Sequence, residues 1–360
     1  MTLRIYCPSC GKNYEPRLRP VRCDCGRPLS CVQDWEELKI NRSAPGMWRY
    51  SSALPESLRD LSMGEGWTPL IPARYQKGPL YKMEFMAPTG SFKDRGAVLV
   101  VSDAVSAECD SVVIDSSGNA GASVAAYAAR AGIKATVVVP EGTSENKKRQ
   151  IASFGAEVLA KGKTRSEAAA FAWEIAKDVF YASHVWNPLF LEGTKTVAFE
   201  IWEQLGQRAP DVVVAPAGNG TLLLGLFKGF RELSQRALID RLPRLIAVQA
   251  EKCAPLRNAL SGGKTSCGKT CAEGIAVSSP PRVDEMLKAV RSTRGDVVTV
   301  DEDRILKMKN ALAKDEGLYV ETTAAAAPAA ERMLRETGYF KNGEAVVVPL
   351  TGSGLKSQQS

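Results

Sequence analysis

Ser111-Val112-Val113-Ile114-Asp115-Ser116-Ser117-Gly118-Asn119-Ala120-Gly121 joins a short β-branched run to a glycine turn, and the alanine-rich segment Ala122 to Ala131 follows at once. β-Branched side chains suit a pleated strand and alanine is the best helix former, so the order predicts strand, turn and helix. The same unit recurs as Asp211-Val212-Val213-Val214-Ala215, then Pro216-Ala217-Gly218-Asn219-Gly220-Thr221, then the apolar helix Leu222 to Leu233. Further strands are expected at 135–140, 157–159, 244–249, 297–300 and 344–350, alternating with helices at 147–154, 166–177, 302–314 and 324–336. Such alternation implies an α/β fold of two doubly wound domains with parallel sheets and helices on both faces. Ligands in these folds sit beyond the carboxyl ends of the strands, so the glycine turns are expected to converge on one cleft.

A third turn is Ala87-Pro88-Thr89-Gly90-Ser91-Phe92-Lys93-Asp94-Arg95-Gly96, which runs into the apolar segment Ala97 to Val101. Ser91 is positioned to cap the helix that follows, which would hold Lys93 on a first turn near the positive dipole end. A lysine ammonium has a pKa of about 10.4 and becomes nucleophilic only where desolvation or positive neighbours lower it. Gly218, Asn219, Gly220 and Thr221 offer consecutive backbone N–H groups, a hydroxyl and a helix start, the ingredients of a phosphate cradle. Ser116, Ser117 and Gly118 have the same setting and suit a carboxylate, with Asn119 available to another polar ligand atom. At the far end, Thr351 or Ser353 offers a hydroxyl to a buried heteroatom.

The 360 residues suffice for two domains, and 44% hydrophobic content supplies their cores. No apolar run approaches the roughly 20 residues needed to span a bilayer, and no signal-peptide core follows Met1, so a cytoplasmic protein without a membrane partner is expected. The formal charge of +7 is spread among acidic residues, with Lys147-Lys148-Arg149 the one compact cluster. That distribution favours anionic small molecules over nucleic acid. Five of the nine cysteines lie in the first 31 residues, and the scatter of the rest indicates no disulfide framework. Cys7, Cys10, Cys23 and Cys25 form two close pairs suited to tetrahedral zinc, with Cys31 an alternative to Cys23 or Cys25. A segment this small and polar needs a metal to fold, so residues 1–35 are expected to form a structural zinc ribbon. The remainder divides into a large cofactor-binding domain, 36–96 with 205–360, and a small mobile α/β domain, 97–204.

Taken together, Thr89 to Gly96, Ser116 to Asn119, the Gly218 turn and Thr351-Gly352-Ser353-Gly354-Leu355-Lys356 resemble the fold type II pyridoxal-phosphate enzymes. Within that group the chain is most similar to threonine synthase and its close relatives, some of which carry an N-terminal zinc ribbon. Glu65-Gly66-Trp67-Thr68-Pro69-Leu70 resembles their EGxTPL, and Asn187-Pro188 with Glu192-Gly193-Thr194-Lys195-Thr196 their NPxxxEGxKT. The resemblance implies that Lys93 forms the Schiff base and Asn119 bonds the phenolic oxygen of the cofactor. It implies that Gly218, Asn219, Gly220 and Thr221 bind its phosphate and Thr351 its pyridine nitrogen. Ser116, Ser117, Gly118, Asn187 and Lys195 would bind an amino-acid substrate, with or without a phosphate, in a homodimer. Glu321 matches a segment beside the cofactor in relatives and reads equally as a helix-capping acid; His184, the single histidine, reads as structural.

The chain departs from the threonine synthases at Ser353, where TGHGLK has histidine, at Phe190, where NPxR has arginine, and at GNGT, where GNAGN is usual. The implied activity is a lyase or synthase converting O-phosphohomoserine and water to threonine and phosphate. A serine or threonine dehydratase, or a synthase joining sulfite or sulfide to O-phosphoserine, is the alternative within the same chemistry. A non-catalytic zinc-ribbon regulator is the alternative outside it.

Overall fold

The computed structural model describes residues 3–55, 61–75, 77–263 and 267–356. The chain forms two compact units, Met1–Gly66 with Ala87–Thr194 and Trp67–Met86 with Lys195–Ser360.

In the first unit, Leu3–Tyr6 pairs antiparallel with Asn13–Tyr14 on one side and Ser30–Gln33 on the other, forming a small three-stranded ribbon. The main sheet is parallel, in the order Glu157–Ala160, Lys134–Val139, Ser111–Ile114, Phe180–Tyr181. Val113 and Val138 of this sheet are fully buried with Ala168 and Ala172 of the helix Arg165–Ile175 against them. Its other large core joins the helices Asp94–Ser106 and Asn119–Ala131 to Ile5, Cys7, Leu29 and Cys31 of the ribbon. Residues 36–66 belong with this unit because Glu65, fully buried, accepts hydrogen bonds from Trp48 Nε1 at 2.5 Å, Tyr127 Oη at 2.6 Å and the Met63 amide at 2.9 Å. The helix Leu189–Thr194 crosses close to Asp94–Ser106, and a Cβ on Gly193 would lie 1.7 Å from the Arg95 carbonyl oxygen, so only glycine permits that approach.

The second unit holds a six-stranded sheet, ordered Asp296–Val300, Arg244–Ala250, Val212–Pro216, Val346–Pro349, Leu80–Lys82, Leu70–Pro72. All neighbours are parallel except the last pair, an antiparallel hairpin. The strand Val212–Pro216 is buried throughout, as expected where helices cover both faces. Helices Thr221–Gln235, Val283–Ser292, Glu302–Asp315 and Thr322–Glu336 supply the cover. Within this unit Lys82 and Glu200 form an ion pair of 2.6 Å with both side chains at 0% exposure. Lys82 Nζ also donates to the Thr68 carbonyl and to Gln204, while Glu200 accepts the Trp67 amide, so the pair is fully answered by hydrogen bonds.

Two expectations need correction. Ser91 does not cap the helix after it: Asp94–Ser106 has no side-chain cap, and the Ser91 hydroxyl is buried without a hydrogen-bond partner. The scattered cysteines do include a bonded pair, Cys253 with Cys267, brought together where Cys253 forms isolated bridges with both Ala250 and Cys267 at the end of a strand. No helix among the described residues is long and apolar enough to cross a membrane.

Candidate active site

Lys93 stands at the N-terminal boundary of Asp94–Ser106, in helical conformation, and its carbonyl accepts the Gly96 and Ala97 amides. Its Nζ lies 4.4 Å from the centre of the Phe92 ring and 5.9 Å from that of Phe190, so the ammonium sits against aromatic faces in a partly buried position. His184 packs edge-on to Phe190 at 6.0 Å. Burial, and then the positive charge of Lys93, hold the His184 pKa well below the usual histidine range, leaving a neutral imidazole at pH 7.

What fixes the lysine turn is Asp94, a residue that the sequence reading left unassigned. Its fully buried carboxylate accepts the Thr89 amide at 2.7 Å, the Thr89 hydroxyl at 2.6 Å and the Ser123 hydroxyl at 2.5 Å. Ser123 lies one turn into Asn119–Ala131, so Asp94 ties the Lys93 turn to the helix that Asn119 begins. Asp94→Asn replaces an acceptor oxygen by an amide donor facing one of these donors. With buried unsatisfied groups costing about 1–3 kcal/mol each, the variant is expected to lose about 2–3 kcal/mol of stability. Urea unfolding measures that loss. Ser123→Ala, which removes a single donor, should cost only about 1 kcal/mol.

Ser116, Ser117 and Gly118 follow the strand Ser111–Ile114 as expected, and Asn119 is the first helical residue after them. A Cβ on Gly121 would come within 2.0 Å of the Ser116 carbonyl oxygen, which explains the second glycine of this motif. Asn187 is buried, and its side-chain oxygen accepts the Leu189 amide at 3.0 Å, so it caps Leu189–Thr194.

In the second unit, the Ala217 amide bonds the Val248 carbonyl, and Gly220 at φ +85° starts Thr221–Gln235. A side chain at Gly220 would be strained by that φ, and its Cβ would fall 2.4 Å from Met286 Sδ. Gly218 is walled by Gly274 and Ile275, each 3.0 Å from where its Cβ would be. The turn is thus a helix N-terminus stripped of side chains on two sides, which suits a phosphate. Thr351 follows the strand Val346–Pro349 and is 3% exposed, and its hydroxyl has no hydrogen-bond partner. Glu321 occupies the N-terminal boundary of Thr322–Glu336 without a side-chain cap. Its carboxylate instead stands against Gly352, whose carbonyl accepts the Glu321 amide at 2.9 Å. Lys195 is fully buried, and its ammonium lies 2.9 Å from Glu232, which Lys228 also approaches at 3.4 Å.

These features fit pyridoxal phosphate. The orphaned Thr351 hydroxyl is a buried polar atom in need of a partner. The Gly218–Thr221 turn presents amides at a helix start, and Lys93 is braced by a fully satisfied carboxylate through its neighbour Asp94. In the ribbon, the sulfurs of Cys7, Cys10, Cys23 and Cys25 all lie within 4.8 Å of one another. The pairs Cys7–Cys25 and Cys10–Cys23 are 3.6 and 3.5 Å apart. A tetrahedron with Zn–S bonds of about 2.3 Å has edges of about 3.8 Å, so the donor set fits that ion. Cys31 stands apart, its thiol directed to the Pro188 carbonyl at 3.3 Å and to Glu192 at 3.5 Å.

The family model for pyridoxal-phosphate dependent enzymes matches residues 61–352. The chain is 33% identical to a threonine synthase of Methanocaldococcus jannaschii, over 97% of this chain and 92% of that protein. It is 36% identical to a threonine synthase of Mycobacterium tuberculosis, over 85% and 87%. Among solved structures it is similar to maize serine racemase, with TM-score 0.70, 20% identity and coverage of 80% and 88%. It is also similar to threonine deaminase isoform 2 of Solanum lycopersicum, with TM-score 0.70, 24% identity and 89% of each chain covered. At those identities the solved structures speak for the fold alone, whereas the family model spans most of the sequence and includes all three glycine turns and Lys93. The chain belongs to the pyridoxal-phosphate-dependent enzymes and has their fold type II architecture.

Proposed function

We propose that the chain is a threonine synthase, converting O-phosphohomoserine and water to threonine and phosphate. One observation carries this reading: the similarity to proteins of that name extends over 97% of the chain, the ribbon included. In the reaction the bond between the γ carbon and the phosphate oxygen breaks, and the hydroxyl of water ends on the β carbon. Pyridoxal phosphate, when bound, supplies the electron sink that makes the α and β protons of the substrate removable. Lys93 would hold the cofactor covalently, and its amine, when free, would carry protons between substrate carbons. Asn119 is assigned to the cofactor's phenolic oxygen, and Gly218, Asn219, Gly220 and Thr221 to its phosphate. Thr351 would hold its ring nitrogen with a neutral hydroxyl, which supplies no charge to keep that nitrogen protonated and would moderate the sink. Ser116, Ser117 and Gly118 are assigned to the substrate carboxylate. Asn187 and Lys195 are assigned to the substrate, from positions where Asn187 accepts the Leu189 amide and Lys195 pairs with Glu232. Zinc at Cys7, Cys10, Cys23 and Cys25, a homodimer and a cytoplasmic location complete the reading.

A dehydratase acting on serine or threonine is the second reading, favoured by Phe190, an apolar ring beside Lys93 where the threonine synthases commonly have arginine. Phosphate release from O-phosphohomoserine, compared with O-phosphoserine and with ammonia release from L-threonine and L-serine, separates the two. O-Phosphohomoserine is expected to have the highest kcat/KM by at least about tenfold, the worth of one charge-assisted contact to its phosphate. Faster turnover of L-threonine or L-serine would remove the threonine synthase reading and put the dehydratase in its place.

A further inference from the structure

From the disulfide between Cys253 and Cys267 the chain leads in both directions to the turn assigned to the cofactor phosphate. On one side, Cys253 is fully buried just past the end of the strand Arg244–Ala250, and the helix Pro255–Ser261 starts two residues later. The first amides of that helix, those of Leu256 and Arg257, donate to Gln249 Oε1 at 2.9 and 3.1 Å. Gln249 is fully buried, and its Nε2 donates to the Ala217 carbonyl at 3.1 Å, one residue before Gly218. On the other side, the segment after Cys267 runs to Gly274 and Ile275, whose backbone stands 3.0 Å from where a Cβ on Gly218 would be. Gln249 thus holds the turn and Gly274 with Ile275 closes it, and the disulfide joins the two supports.

The outer part of the second support has no packing to hold it. Every described residue from Ser261 to Lys269 is exposed. Besides the disulfide, the segment is tied to its surroundings by single amide hydrogen bonds: Gly268 to the Lys252 carbonyl at 2.6 Å, Cys271 to Glu302 at 2.6 Å and Gly274 to the Thr323 hydroxyl at 2.9 Å. Single hydrogen bonds on an exposed segment open locally, whereas a covalent link restricts the chain on both sides of it. Cys267 is exposed, so this link is within reach of a reductant in solution. A dithiol breaks the S–S bond, passes two electrons and two protons to Cys253 and Cys267, and itself becomes a disulfide.

We propose that Cys253 and Cys267 are a positioning pair for the cofactor phosphate: their bond holds both supports against the Gly218 turn, and its reduction weakens the grip on pyridoxal phosphate. The inference rests on the reading that this turn takes the phosphate, and not on which reaction follows. Equilibrium dialysis of the full-length protein with pyridoxal phosphate, and with pyridoxal, which lacks the phosphate, tests it.

The oxidised protein is expected to bind pyridoxal phosphate at least about tenfold more tightly than pyridoxal. Cys267→Ser removes the bond at an exposed position, and should weaken pyridoxal phosphate at least about tenfold while changing pyridoxal by less than about twofold. Wild type treated with a phosphine, which takes up the oxygen of water as the two thiols form, should match the variant. The same treatment should leave Cys267→Ser unchanged, which separates the effect from any on the ribbon cysteines. A bond that only stabilises the fold would lower the unfolding temperature and leave both dissociation constants, read well below that temperature, as they were. Unchanged affinity for pyridoxal phosphate in the variant and in reduced wild type, or equal weakening of both ligands, therefore overturns the proposal and leaves the phosphate turn in place. Equal affinity of the oxidised protein for the two ligands removes the phosphate turn, and the proposal with it.

Discussion

Lys93→Ala is expected to lower turnover by about a thousandfold or more, because the role proposed for it makes one group both hold the cofactor and move the protons. The fold should survive: the ammonium contacts the Phe92 and Phe190 rings, and the lysine carbonyl, unchanged in the variant, continues to accept the Gly96 and Ala97 amides. Unfolding free energies within about 1 kcal/mol of wild type would show that the lost rate is chemical. Residual turnover within tenfold of wild type would show that a different residue carries these roles.

Removing the zinc proposed for the ribbon is the second large effect expected. Four thiols at tetrahedral spacing suit about one zinc per chain, and structural sites of this kind contribute folding free energy directly. The ribbon is not an isolated appendage. Cys7, Cys23, Leu29 and Cys31 belong to the same buried core as Val98, Leu99 and Leu189, and Cys31 reaches the Pro188 carbonyl. A Cys7→Ser, Cys10→Ser double variant should therefore lose its zinc and expose part of this core, giving a lower unfolding temperature and early proteolysis within residues 3–33. Metal analysis by mass spectrometry together with limited proteolysis reads both. Full zinc retention in the double variant would assign the metal to other ligands.

The units of structure were legible in the sequence wherever local chemistry decides them. Val112, Val113 and Ile114, or Val212, Val213 and Val214, leave little choice but a buried strand, and Gly118 or Gly220 marks where each strand gives way to a helix. The cysteine spacing likewise pointed to the four sulfurs that come together, and the structure separates Cys31 from them by giving its thiol other neighbours.

What stayed hidden depends on contacts between distant residues. Glu200 pairs with Lys82 across 118 positions, and Tyr127 reaches Glu65 across 62. Neither partner carries a local sign of the other. Asp94 read as one more polar residue of a turn, since its role exists only when Ser123 arrives from the next helix. The strands Leu70–Pro72 and Leu80–Lys82 are three residues each, too short for alternation to show. The chain also changes units at Gly66–Trp67, Met86–Ala87 and Thr194–Lys195. Two of these points fall inside the EGWTPL and EGTKT segments and the third just before the Lys93 turn, so composition, which is uniform there, could not mark them.

The central claim is that the turn carrying Lys93 is where pyridoxal phosphate is held. Borohydride reduction of the purified holoprotein, followed by proteolysis and peptide mass spectrometry, tests it most directly. The account predicts the reduced cofactor on the single peptide containing Ser91-Phe92-Lys93, with no label in Lys93→Ala. Label on another lysine, or wild-type protein that binds no cofactor to be reduced, would contradict it.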